Sequence, residues 1–134
     1  MSQQRYLRPI QYSLVGALGF LVDAGLLTLL VSVYDFDPIL SRGPSFVAAV
    51  SVTWLLNRSF TFATRRYYAK STEYRRYISV QIAGSVANLL VYVGLIAVMP
   101  MLGRMPVVPL AVGAVAGLAV NYYLSATIVF PERR

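Results

Sequence analysis

The 134-residue chain contains no cysteine and no histidine. It forms no disulfide and supplies neither a thiol nor an imidazole to a metal or a substrate. Acids are scarce too: Asp23, Asp35, Asp37, Glu73 and Glu132 are all five. Four of them fall in expected loops or tails, so no two carboxylates share a helix. No glycine-rich phosphate loop with its lysine is present. These absences argue against a hydrolase or an ATP-driven pump within this chain. A bundle that binds or translocates, without metal or cofactor, is expected in place of an enzyme.

Apolar residues are abundant, at 57% of the chain, and mean hydropathy is +0.62. A hydrocarbon core about 30 Å thick needs roughly 20 helical residues to cross it. Four runs meet that length: residues 10–33, 43–63, 77–99 and 107–130. Helices satisfy their own backbone in lipid, so the expectation is an all-α integral membrane protein with four transmembrane helices in a single domain. The first run exceeds a signal-peptide core, and Tyr34-Asp35-Phe36-Asp37 follows it where a small-residue cleavage site would stand. It is expected to be retained. Asp37-Pro38, and Met99-Pro100 through Met105-Pro106, mark the connecting turns.

Charge orients the bundle. Of twelve Lys and Arg, ten fall on one side: Arg5, Arg8, Arg58, Arg65, Arg66, Lys70, Arg75, Arg76, Arg133 and Arg134. Only Arg42 and Arg104 fall in the expected turns 34–42 and 100–106. Short cytoplasmic loops carry the excess Lys and Arg, so both termini and the 64–76 loop are expected in the cytoplasm, at the inner membrane. The net charge of +7 suits anionic headgroups. It lies beside the membrane rather than on a folded basic face, so no nucleic-acid partner is expected.

Sliding the sequence by 68 places residues 6–62 on 74–130 without gaps. Twelve identities result, among them Tyr6/Tyr74, Arg8/Arg76, Gly16/Gly84, Pro38/Pro106, Leu56/Leu124 and Phe62/Phe130. Shared apolar composition alone would give about five. Each unit would contain two crossings, so the repeats are expected to be parallel, related by an axis along the membrane normal. Gly16, Gly19 and Gly25, then Ala83, Gly84 and Ala87, then Gly113 and Gly117 form small faces that let helices approach closely.

Asp23 is the one acid inside an apolar run. Placing it at a helix centre costs around 2.5–3.5 kcal/mol on insertion scales. It is either a coupling or sugar-hydroxyl site, or a neutral carboxyl bonded to a partner such as Asn57, Asn88 or Asn121. Arg58 is the one cation inside a run, near its cytoplasmic end. It must snorkel, pair or meet a ligand, and a planar guanidinium binds phosphate bidentately. Asn57 beside it adds donors. Asn88 and Asn121 hydrogen-bond across helices as structural glue or line a polar cavity that opens inward. Tyr67, Tyr68, Tyr74 and Tyr77 are expected as interfacial anchors.

The pattern Arg8-x7-Gly16-x-x-Gly19-x3-Asp23, then Asn57-Arg58-x-Phe60-x-Phe62, then Asn121-Tyr122-x-Leu124 ending in Phe130 resembles the GtrA-like family of small four-helix membrane proteins. The likeness covers nearly the whole chain. It implies flipping of a polyprenyl-phosphate-linked monosaccharide from the inner to the outer leaflet, for glycosylation of cell-surface polysaccharide, beside a polyprenol-phosphate glycosyltransferase. The family pattern puts the lipid phosphate near Arg58, with Asn57, Arg8 and Arg76 as the other phosphate candidates. Asp23, Asn88 and Asn121 would form the polar interior. Ala126 stands where the repeat would place a second Arg58. Two other readings remain: an anchor or assembly partner for the glycosyltransferase, and a small proton-coupled exporter using Asp23. Four helices are few to enclose a sugar, which leaves a homodimer open. The orientation predicts that a C-terminal alkaline phosphatase fusion is inactive while one in the 34–42 segment is active; the reverse pattern would invert the topology.

Overall fold

A computed structural model describes residues 2–65, 67–104 and 107–132 of the chain. Arg66, Arg133 and Arg134 of the basic set, and Pro106 of the repeat, lie outside the described residues, as do the side chains of Arg5 and Arg104. The chain divides into two compact units, Met1–Tyr67 and Tyr68–Arg134. Unit 1 contains α1 (Ser2–Ser32) and α2 (Pro38–Leu56), and α2 runs on into a π-helical segment, π1 (Asn57–Thr61). Unit 2 contains α3 (Lys70–Val98), a 3₁₀ turn (Pro100–Arg104), α4 (Val107–Leu124) and a second π segment, π2 (Ser125–Val129). No strand occurs among the described residues.

Among the described residues, three stretches are long and apolar enough to cross a membrane, by length and composition: Tyr6–Ser32, Lys70–Val98 and Val108–Val129. α2 is a fourth, shorter helix of 19 residues. Its apolar character is interrupted near the start by Arg42, Gly43 and Pro44, and ends at Leu56 before Asn57 and Arg58. Leu14, Leu18, Phe20 and Leu21 on α1, and Leu89 and Leu90 on α3, are exposed, as expected of faces solvated by lipid.

The helices begin earlier than apolarity alone indicates. α1 starts at Ser2 and α3 at Lys70, so the basic loop ends before Lys70, and Arg75 and Arg76 are helical. Hydropathy marks where a helix enters hydrocarbon, whereas a polar juxtamembrane turn continues the helix at little cost. α1 closes through a tight turn in which the Phe36 N–H reaches the Leu30 carbonyl at 3.0 Å. Asp35, at φ 52°, takes the left-handed conformation this turn requires. Asp37 then caps α2, accepting the Leu40 N–H on Oδ1 at 2.9 Å.

Each hairpin closes at a glycine. In unit 1 a Cβ at Gly19 would overlap Thr53, with the Ala49 carbonyl beyond at 3.8 Å. In unit 2 the seam runs through Gly84, Gly113 and Gly117, and a Cβ at Gly117 would lie 2.7 Å from the Gly84 carbonyl oxygen. Gly16 and Gly25, read from sequence as packing positions, have nothing within 4 Å. A small residue permits close approach without requiring it. At the other end of each hairpin a fully buried phenylalanine meets a tyrosine edge-on. Tyr12 and Phe62 lie 6.3 Å apart, and Tyr77 and Phe130 lie 6.4 Å apart. Tyr77 is thus a core residue rather than an interfacial anchor.

Gly117→Val should separate α3 from α4 and lower stability by about 1–3 kcal/mol, the range for overpacking, whereas Gly16→Ala should be close to neutral. Thermal unfolding in detergent distinguishes them; equal effects would contradict the seam.

Candidate functional site

The π segments are the least ordinary backbone in the chain. The Phe62 N–H bonds the Asn57 carbonyl, and the Phe130 N–H bonds the Ser125 carbonyl, each at 2.8 Å and each closing a five-residue step. Positions 57 and 125, and 62 and 130, are separated by the same 68 residues as the sequence repeat. Within π1 the Thr61 hydroxyl donates to Asn57 Oδ1 at 2.8 Å, and Asn57 is 1% exposed. Its amide is therefore engaged inside its own segment. Single π turns in helices occur frequently at functional sites. Nothing in hydrophobic periodicity marked these two; the repeated polar-to-phenylalanine interval was the available signal.

Two clefts flank these segments. In unit 1, Arg8, Leu7 and Gln11 of α1 face Phe60 and Thr61 of π1 with Thr64, around a volume of about 200 Å³. In unit 2, Thr72, Arg75, Arg76 and Ser79 of α3 face Leu124 and Ile128 across about 470 Å³, with Val80 and Ala83 on the apolar side. The second cleft is amphipathic, with guanidinium and hydroxyl groups along one part and hydrocarbon along the other. Arg76 is held there by two contacts. Its Nη1 donates to the Ile128 carbonyl at 3.2 Å, and its guanidinium carbon lies 3.9 Å from the centre of the Tyr68 ring. Ile128 lies in the last turn of its helix, where carbonyls lack helical partners, so Arg76 caps that end.

Arg58, the cation expected at the phosphate, lines neither cleft. Its guanidinium carbon stands 5.9 Å from the Trp54 ring centre, a cation–π arrangement. Arg8 and π1 come together around the unit 1 cleft, whereas Asp23 is 15 residues along α1 from Arg8, about 22 Å at the helical rise.

Asp23 has a partner that the sequence placed elsewhere. Arg42 Nη1 donates to Asp23 Oδ2 at 3.1 Å, with the aspartate side chain 19% exposed. Arg42 was expected in an external turn; it belongs to the second turn of α2, and its long side chain reaches the acid on α1. The repeat positions in unit 2 are Val91 and Leu110, so the pair belongs to unit 1 alone.

Asn88 and Asn121 both lie at the α3–α4 seam. A Cβ at Gly84 would overlap the Asn121 amide, and one at Gly113 would overlap the Asn88 amide. Each asparagine thus fills a notch left by a glycine on the facing helix. Asn121 Nδ2 donates to Gln81 Oε1 at 3.1 Å, a partner that sequence reasoning missed. Glu73 was missed as well. Read as a loop acid, it sits fully buried in the first turn of α3, where a carboxylate complements the helix dipole.

A family model described as GtrA/DPMS, transmembrane domain, matches residues 11–130. Comparison with curated proteins found no match. The match takes in α1 from residue 11, the other three helices and both π segments. With the apolar helices and the matched domain together, the protein is a multi-pass, all-α membrane protein, and the chain belongs to the GtrA/DPMS transmembrane-domain family.

Proposed function

We propose that the protein flips a polyprenyl-phosphate-linked monosaccharide from the inner to the outer leaflet of the inner membrane, supplying sugar for cell-surface polysaccharide. The observation that carries this is the unit 2 cleft, where Arg75 and Arg76 border an apolar wall of Val80, Ala83, Leu124 and Ile128. A lipid phosphate presents the complementary pair of an anion joined to hydrocarbon. Family membership supports a role connected with polyprenyl-phosphate sugars. The chain crosses the membrane four times as two parallel repeats, both termini in the cytoplasm, where the basic rim meets the anionic leaflet.

In this mechanism a phosphate is captured at the cytoplasmic side by Arg76 in unit 2 or by Arg8 in unit 1, where Arg58, beside Asn57, receives it as it moves inward. Polar groups of each unit, Asp23 in unit 1 and Asn88 and Asn121 in unit 2, meet the sugar, while the prenyl chain stays in lipid. No covalent bond changes, so the protein acts as a carrier rather than an enzyme, beside a polyprenol-phosphate glycosyltransferase and with a homodimer available to widen the path.

A second reading, an anchor that recruits the glycosyltransferase, is favoured by one observation. Asn57, Asn121 and Asp23 are each already bonded within their own unit, as structural polar groups would be.

In reconstituted vesicles, Arg58→Ala should slow the appearance of labelled lipid-linked sugar in the outer leaflet about tenfold or more, the worth of one charge-assisted hydrogen bond; a wild-type rate would remove Arg58 from the path. Asp23→Asn alone leaves Arg42 without its counter-charge, so the informative variant is Asp23→Asn with Arg42→Gln, which keeps a neutral hydrogen bond. A carrier that uses Asp23 loses transport in this double variant while its thermal stability stays close to wild type. An anchor retains full cellular glycosylation.

A further inference from the structure

We infer that each half of the chain carries its own lipid-phosphate site, so that one chain binds two phosphate headgroups at once. The inference rests on the proposed handling of polyprenyl phosphates and extends it to number and location.

The two clefts are the same place in the repeat. Arg8 and Arg76, Gln11 and Ser79, and Phe60 and Ile128 are each 68 positions apart, and each pair lines the corresponding cleft. In both, an arginine on the first helix of the unit stands beside the π segment that ends the second. A polar side chain follows the arginine by three residues, about one helical turn, and so lies on the same face. The apolar residue comes from the π segment. Thr64 in unit 1 and Thr72 in unit 2 add hydroxyl donors, whereas the Thr61 hydroxyl donates to Asn57 Oδ1 and the Ser79 hydroxyl to the Arg75 carbonyl. Two compact units therefore build one chemistry twice: a guanidinium, hydroxyl or amide donors, and a hydrocarbon wall.

The sites differ at one position that matters for charge. Leu7 in unit 1 corresponds to Arg75 in unit 2. Unit 2 presents two guanidinium groups and the larger volume, and Arg76 spends one of its five N–H donors on the Ile128 carbonyl. Unit 2 is therefore the tighter site for a lipid phosphate, and unit 1 the weaker. The occupant is a phosphate ester of a long-chain alcohol, because such a lipid covers the apolar wall as well as the guanidinium, whereas inorganic phosphate would engage the guanidinium alone.

The test is stoichiometry. The full chain in detergent micelles is titrated with farnesyl phosphate and the bound lipid counted by native mass spectrometry, with farnesol and inorganic phosphate as separate arms. Two lipids per chain are expected, the first about tenfold tighter than the second. Arg76→Ala should remove the tight site and Arg8→Ala the weak one. Ser79→Leu and Gln11→Leu should do the same while leaving both arginines and the Arg76 cap in place, which separates site loss from misfolding. Arg75→Leu should bring the two affinities together. One lipid per chain, lost in either arginine variant, would overturn the duplication and leave the proposed function standing. No saturable binding of farnesyl phosphate would overturn both. Equal binding of farnesol would overturn the headgroup assignment, and equal competition by inorganic phosphate would overturn the lipid one.

Discussion

A polar group surrounded by hydrocarbon has no water to fall back on, and leaving it unbonded costs several kcal/mol. That constraint organises the interior of both units. Asn57 turns back to Thr61 four residues on, Asn121 reaches Gln81 across the α3–α4 seam, and Asp23 meets Arg42 across the α1–α2 pair. In each case the partner lies on the same helix or on the one joined to it by a short turn. The hairpin is thus the unit within which these bonds are made, although Asp23 Oδ1 and Asn121 Oδ1 stay buried without a hydrogen-bond partner. The glycines serve the same end. By letting α3 and α4 approach at Gly84 and Gly117, they leave notches into which Asn88 and Asn121 fit.

Charge follows a different rule. A guanidinium cannot shed its proton, so it is placed where its head can leave hydrocarbon or rest on an aromatic face. Arg58 lies over Trp54, Arg65 near the Phe62 ring and Arg76 on Tyr68. Aromatic rings recur beside the arginines because they stabilise a cation and tolerate a lipid environment together. Where such an arginine also borders an open cleft, as Arg76 does, it is held in orientation yet keeps most of its donors for an anion.

Much of the architecture was legible because length and hydropathy are properties of whole segments. The helical class and the apolar runs that became α1, α3 and α4 were readable in the sequence. What escaped depended on single backbone bonds or on the reach of one side chain. Arg42 read as a turn residue because it stands just before an apolar run, yet helix α2 passes through it and its side chain reaches Asp23. Glu73 read as a loop acid because hydropathy falls there, although helix α3 had already begun. Arg58 drew attention as the cation deepest in a run, whereas the clefts gathered around Arg8 and Arg76, which the repeat had paired. Hydropathy hid the π segments, since a single-residue surplus leaves no periodic trace in five residues, and only the repeated polar-to-phenylalanine interval pointed to them.

That surplus has an angular consequence. An α-helix advances about 100° per residue, so one additional residue in the last turn swings everything beyond it by roughly that amount. Phe62 and Phe130 follow directly after the π segments, and both are completely buried against the first helix of their unit. Continued as ordinary helix, α2 and α4 would aim these rings about a quarter-turn aside. The stopper at the end of each hairpin is therefore set by a miscount in the helix, made twice at the same interval, rather than by the phenylalanine alone.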